Sequence, residues 1–178
     1  RRPGKKTAMQ SRRGCVLLLA VACLWTSVNH FSDSFTPPLR GRARLFLDTA
    51  DVKAYEELLP LGLFSGVTTN PGILSKAKVS CSVDSLKTLA EKALSYTDEF
   101  MCQSWGKDEK NLYETGLKLA DINKDKVVVK VPATLEGIKA AKRLLEDGVR
   151  VCLTACYSAK QALIATGRTC RNICKCFR

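Results

Sequence analysis

Lys130 stands inside Val127-Val128-Val129-Lys130-Val131-Pro132, a β-branched run closed by a proline. Such a run reads as a strand buried on both faces, the kind found in parallel sheets. Burial disfavours the charged form of an amine, so a lysine there is costly. Two readings follow. Either Lys130 sits at the strand end and snorkels to water, or it is a desolvated amine that attacks a carbonyl and forms a Schiff base. Four other polar residues close short apolar runs: Asp48, Asn70, Gln103 and Thr154. Together with Lys130 they suit carbonyl chemistry. An iminium on Lys130 is an electron sink for breaking or making the adjacent C–C bond. Asp48 can move the proton of the hydroxyl at that bond. Asn70 and Thr154 offer neutral hydrogen bonds to sugar hydroxyls, and Gln103 can hold a water but cannot act as a base.

These five residues need elements that bring them together. Residues 44–49 predict a first strand, and Asp51 caps a helix with Val52, Tyr55, Leu58 and Leu59 at helical spacing. Residues 66–71 predict the second strand and its turn, and residues 84–96 a second helix. A third strand over 99–103 and a third helix over 108–122 precede the Lys130 strand. A fourth helix follows over 134–146, with Ile138, Ala141, Leu144 and Leu145 inward and Gly148 just past its end. Residues 150–155 predict strand five, and Ser158-Ala159-Lys160-Gln161 forms the capping box of a fifth helix.

Strand and helix thus alternate five times, which demands a parallel sheet. An open doubly wound sheet and a (β/α)8 barrel compete. No G-x-G-x-x-G or G-x-x-x-x-G-K-[ST] stands at a strand–helix junction, so nucleotide-binding versions of the open sheet lose support. In a barrel the C-terminal strand ends converge on one mouth, where active sites of that fold are built. Helix capping is the ordinary use of a polar strand end. Asp51, Asp84, Asp108 and Ser158 are already available for it, so a shared site is the better account of the five.

The net charge of +12 does not point to nucleic acid. Residues 1–44 hold nine Lys and Arg against one acid, Asp33, and residues 168–178 hold four against none. The intervening segment is balanced, whereas a nucleic-acid binder places its basic excess on the folded domain. The nine cysteines include a C-x3-C-x-C tail that fits no zinc spacing, and the single His30 is far away in sequence. No metal site is expected, and Cys81, Cys102, Cys152 and Cys156 read as buried free thiols. Residues 1–8 precede the first methionine, Met9. Arg12-Arg13 and the apolar run Cys15–Trp25 then resemble a signal peptide, too short to span a membrane comfortably. Val28–Arg44 is hydroxyl- and Arg-rich and acid-poor, like a transit peptide. The pair resembles the bipartite presequences of algae with complex plastids. Residues 1–43 are therefore expected to target the chain to a plastid, with no membrane segment in the mature form; the alternative is a cytoplasmic protein.

Three stretches carry a family resemblance: Leu45-Phe46-Leu47-Asp48-Thr49-Ala50-Asp51, Gly66-Val67-Thr68-Thr69-Asn70-Pro71, and Val128-Val129-Lys130-Val131-Pro132-Ala133-Thr134. They resemble signatures of the transaldolase family, most closely its small-subunit branch, which includes fructose-6-phosphate aldolase. The resemblance covers about residues 44–167 and implies a (β/α)8 barrel with its first five βα units present. It also implies a cofactor- and metal-free Schiff-base aldol mechanism on a sugar phosphate such as fructose 6-phosphate, in members that assemble as homo-oligomers. Lys130 matches the Schiff-base lysine, Asp48 the acid/base carboxylate, and Asn70 and Thr154 substrate-contacting positions. Gln103 matches the residue that helps hold the catalytic water, Glu in typical transaldolases and Gln in the fructose-6-phosphate aldolases. Residues 168–178 no longer resemble the family and read as the tail of a truncated or misread product. On that reading the barrel stays open, with the five site residues on one rim, and the chain self-associates. A catalytically incomplete remnant that only binds a partner is the competing function.

Overall fold

A computed structural model describes residues 44–165. The targeting presequence expected over 1–43 and the tail over 168–178 lie outside the described residues. The elements run β1 (Phe46–Asp48), α1 (Val52–Leu58), a 3-10 turn (Leu59–Leu61), β2 (Gly66–Thr68), α2 (Pro71–Lys76), α3 (Val83–Leu94) and β3 (Phe100–Gln103). Then follow α4 (Glu109–Ala120), β4 (Val127–Pro132), α5 (Leu135–Glu146), β5 (Val151–Thr154) and α6 (Ala159–Ala165).

The five strands form one sheet in the order β1-β2-β3-β4-β5, and every neighbouring pair is parallel. A doubly wound sheet would reverse its strand order at a switch point. This one never reverses, which is the winding of a (β/α)8 barrel, here with five βα units. Side chains alternate between two faces along each strand. Leu47, Val67, Phe100, Val129, Val131 and Leu153 face the helices in the main apolar core. Met101, Val128 and Cys152 gather with Phe46 in a separate cluster on the inner face. Burying one such aliphatic side chain stabilises the fold by about 1.5–3 kcal/mol, so the two-sided β4 run anchors the sheet.

The helices start where their caps dictate. Asp51 accepts a hydrogen bond from Lys53 N, Asp108 from Asn111 N and Thr134 from Gly137 N. Before α6, Ser158 Oγ accepts from Gln161 N at 3.2 Å while Gln161 Oε1 accepts from Ser158 N at 3.1 Å, the reciprocal capping box. Helix α5 ends at Glu146, two residues before Gly148, whose φ of 78° suits the left-handed region open to glycine. It starts tight against β4: a Cβ on Gly137 would lie 1.9 Å from Pro132 O. Only glycine permits that approach.

Three expectations are corrected. Ser82, not Asp84, caps α3: its hydroxyl accepts from Ser85 N at 3.2 Å, and Asp84 falls in the first turn. Cys81 is exposed, whereas Cys102, Cys152 and Cys156 are buried. Asn70-Pro71 is no simple turn, because Pro71 opens α2 at a helical first position, where its missing N–H costs nothing.

The opposite end of the sheet is held by charge. Glu99 is buried just before β3, with Arg150 hydrogen-bonded to one carboxylate oxygen and Arg44 3.4 Å from the other. Arg150 also donates to Asp125 O at 2.6 Å, and Arg44 lies over the Phe46 ring at 4.9 Å. The ends of β1, β3 and β5 are tied there, away from the strand C-termini.

Candidate active site

Strand register sets the site. Asp48 pairs with Thr68, Gln103 with Lys130, Lys130 with Cys152, and Pro132 with Thr154. Register partners share a face. Gln103 and Lys130 therefore lie on the inner face, one step beyond Met101 and Val128. Thr68 pairs with Met101, so Thr68 and its partner Asp48 belong to the same face. Asp48, Gln103 and Thr154 end their strands, Asn70 lies just past the end of β2, and Lys130 stands two residues before the end of β4.

Lys130 is 5% exposed, which settles its sequence ambiguity against snorkelling. Its Nζ donates to Thr68 Oγ1 at 2.8 Å and to Thr69 O at 3.3 Å. Thr68 is on β2, two strands from β4, a separation of roughly 9–10 Å along the sheet. The side chain thus crosses the inner face of β3 and brings its amine to the residue that pairs with Asp48. From below, Ser104 fixes the backbone of Lys130: its N–H donates to Lys130 O at 2.9 Å and its hydroxyl lies 3.4 Å from the same oxygen.

The other members have local duties as well. Asn70 Oδ1 accepts from Ile73 N at 3.0 Å and caps α2. That cap uses the amide oxygen and leaves the Nδ2 donor out of it. Thr154 and Gln103 are partly buried, and Asp48 is exposed. Ala133 N donates to Thr154 O at 2.8 Å, and the next residue, Ala155, takes a φ of 57°. That left-handed conformation strains an alanine and turns the chain sharply out of β5 beside Thr154. Asp48 also borders an open groove of about 860 Å³ that reaches Ile73 and Lys76 but not Lys130.

Sequence reasoning missed Thr68. A threonine in Val-Thr-Thr reads as ordinary strand filling. Among the described residues, no cluster of three or more His, Cys, Asp or Glu is arranged to hold a metal ion.

Fold and site define a parallel-barrel protein with a buried lysine and a carboxylate at one sheet end. The chain belongs to the transaldolase/fructose-6-phosphate aldolase family, whose description matches residues 45–170. A "Probable transaldolase" of Ruegeria sp. strain TM1040 is 37% identical over 122 residues, covering 68% of this chain and 54% of the relative. One of Hyphomonas neptunium is 38% identical over 122 residues with the same coverage. This chain therefore spans about half the length of the curated relatives it matches. Among solved structures, a 4-hydroxy-tetrahydrodipicolinate synthase from Methylacidiphilum fumariolicum SolV aligns with a TM-score of 0.45 and 11% identity, over 63% of this chain and 44% of that one.

Proposed function

We propose that the chain carries the Schiff-base half of an aldol site acting on a ketose phosphate such as fructose 6-phosphate. The observation behind this reading is Lys130 Nζ, buried on the inner face and held 2.8 Å from Thr68 Oγ1, beside the register partner Asp48. Lys130 in its neutral amine form adds to the C2 ketone, the carbinolamine hydroxyl takes up a proton and leaves as water, and a cationic iminium remains. The C3–C4 bond then breaks. Its electron pair passes into the iminium to give an enamine, and Asp48 takes the C4 hydroxyl proton as the aldose phosphate departs. Two fates follow. Protonation and hydrolysis release dihydroxyacetone and regenerate the amine, which is aldolase chemistry. Attack of the enamine on a second aldose phosphate, with Asp48 returning the proton to the new C4 hydroxyl, re-forms an iminium, whose hydrolysis frees the new ketose phosphate and the amine; that is transaldolase chemistry.

Asn70 and Thr154 bind substrate hydroxyls in this reading, and Gln103 beside Lys130 orients the water of imine formation and hydrolysis. The relatives' names favour the transfer reaction, whereas a glutamine at position 103 favours cleavage. The deciding experiment supplies fructose 6-phosphate to the full chain, with and without an added aldose phosphate acceptor. Free dihydroxyacetone without acceptor assigns cleavage; a new ketose phosphate only with acceptor assigns transfer. Neither product would refute catalysis by this chain and leave a partner-binding fragment.

A further inference from the structure

Asp48 occupies a precarious place. It ends a three-residue strand whose only described sheet neighbour is β2. Lys130, by contrast, lies between β3 and β5. A proton-transfer group must nevertheless hold its geometry within about 0.5 Å. The turn after Asp48 is closed by hydrogen bonds. Asp51 N donates to Thr49 Oγ1 at 3.1 Å, and Lys53 N donates to Asp51 Oδ1 at 2.9 Å. The carbonyl of Thr49 receives the hydroxyl of Tyr55 at 2.9 Å. Tyr55 is fully buried on α1, and its phenol is pushed up by burial and by the nearby Asp51 charge. It stays a donor across the working pH range. A phenylalanine would fill the same core volume, so packing alone does not require the hydroxyl.

We propose that Tyr55 is a positioning residue: its hydroxyl, through the Thr49 carbonyl, fixes the turn that directly follows Asp48 and thereby governs proton transfer but not imine formation. This inference rests on the Schiff-base reading above. Nothing in it makes Tyr55 touch substrate.

The test compares the full chain with Tyr55→Phe, which keeps the ring and removes only the donor. Borohydride trapping of fructose 6-phosphate on Lys130 should be unchanged. The turnover number should fall about tenfold, the scale of a sub-ångström misplacement, with KM within about twofold of the parent. On an Asp48→Asn background the same substitution should add less than about twofold, because one device is lost only once. A parental turnover number in Tyr55→Phe would overturn the positioning role while leaving the Schiff-base reading intact, and so would a loss seen in KM rather than turnover, or losses that multiply on the Asp48→Asn background. A parent chain that traps nothing would overturn that reading and this role with it.

Discussion

Lys130 Nζ and Thr68 Oγ1 meet at 2.8 Å across 62 residues of sequence and across an intervening strand. The contact steers the amine away from β5 and toward the β1–β2 side of the sheet, where Asp48 pairs with Thr68. The two groups assigned to imine formation and proton transfer therefore share a neighbour. Adjacent to it, Thr69 is fully buried with a hydroxyl that has no hydrogen-bond partner among the described residues. Two consecutive threonines thus make opposite predictions.

Thr68→Val should slow borohydride trapping on Lys130 up to about tenfold, since a hydrogen bond between neutral groups contributes about 0.5–1.5 kcal/mol. Thr69→Val should leave trapping unchanged and alter stability by less than about 1 kcal/mol, because no made bond is lost. Timed mass spectrometry and urea melts read both. Equal effects from the two variants would show that the Thr68 contact has no special role.

Asp48→Asn should still form the Schiff base but turn over about 100-fold more slowly, the low end for losing a general acid/base. Asp51→Asn should keep both activity and stability, because asparagine caps a helix as well as aspartate. Steady-state kinetics on the two variants separate the roles. A rate loss confined to Asp51→Asn would reverse them.

Much of this arrangement was legible in the sequence. The β4 run reads as it folds, from Val127 to Pro132, because β-branched residues and a closing proline leave little else for it to be. Asp51, Asp108 and Ser158 announce their helices through capping chemistry that acts within four residues. Asn70-Pro71 misleads because the same pair signals a turn and a capped helix start, and only the following Ile73 N–H decides. Thr68 and the Tyr55 hydroxyl are invisible for a different reason. Their partners are fixed by strand order, sheet curvature and the path of one turn, none of which leaves a local pattern.

Burial pushes the Cys102 thiol up to about 12, with the Lys130 charge pulling the other way. The fold holds this proton more tightly than the unfolded chain, where a thiol titrates near 8.5. Stability from this source is complete below about pH 8.5 and is lost as pH rises toward 12. Urea melts at stepped alkaline pH should therefore show the parent losing its advantage over Cys102→Ala. A difference that stays constant with pH would contradict the shift.

Residues 9–43 are proposed to carry the targeting signal, on the strength of the apolar run Cys15–Trp25 and the acid-poor, Arg-rich stretch behind it. A fluorescent protein fused to this segment should leave the cytosol of an algal host with a complex plastid. Uniform cytosolic fluorescence would refute the proposal.

Lys130 is the proposed nucleophile. Incubating the full chain with fructose 6-phosphate and borohydride, followed by peptide mass spectrometry, measures it directly. A reduced sugar adduct is expected on Lys130 and none on Lys130→Ala. An adduct on a different lysine, or none on the parent chain, would contradict it.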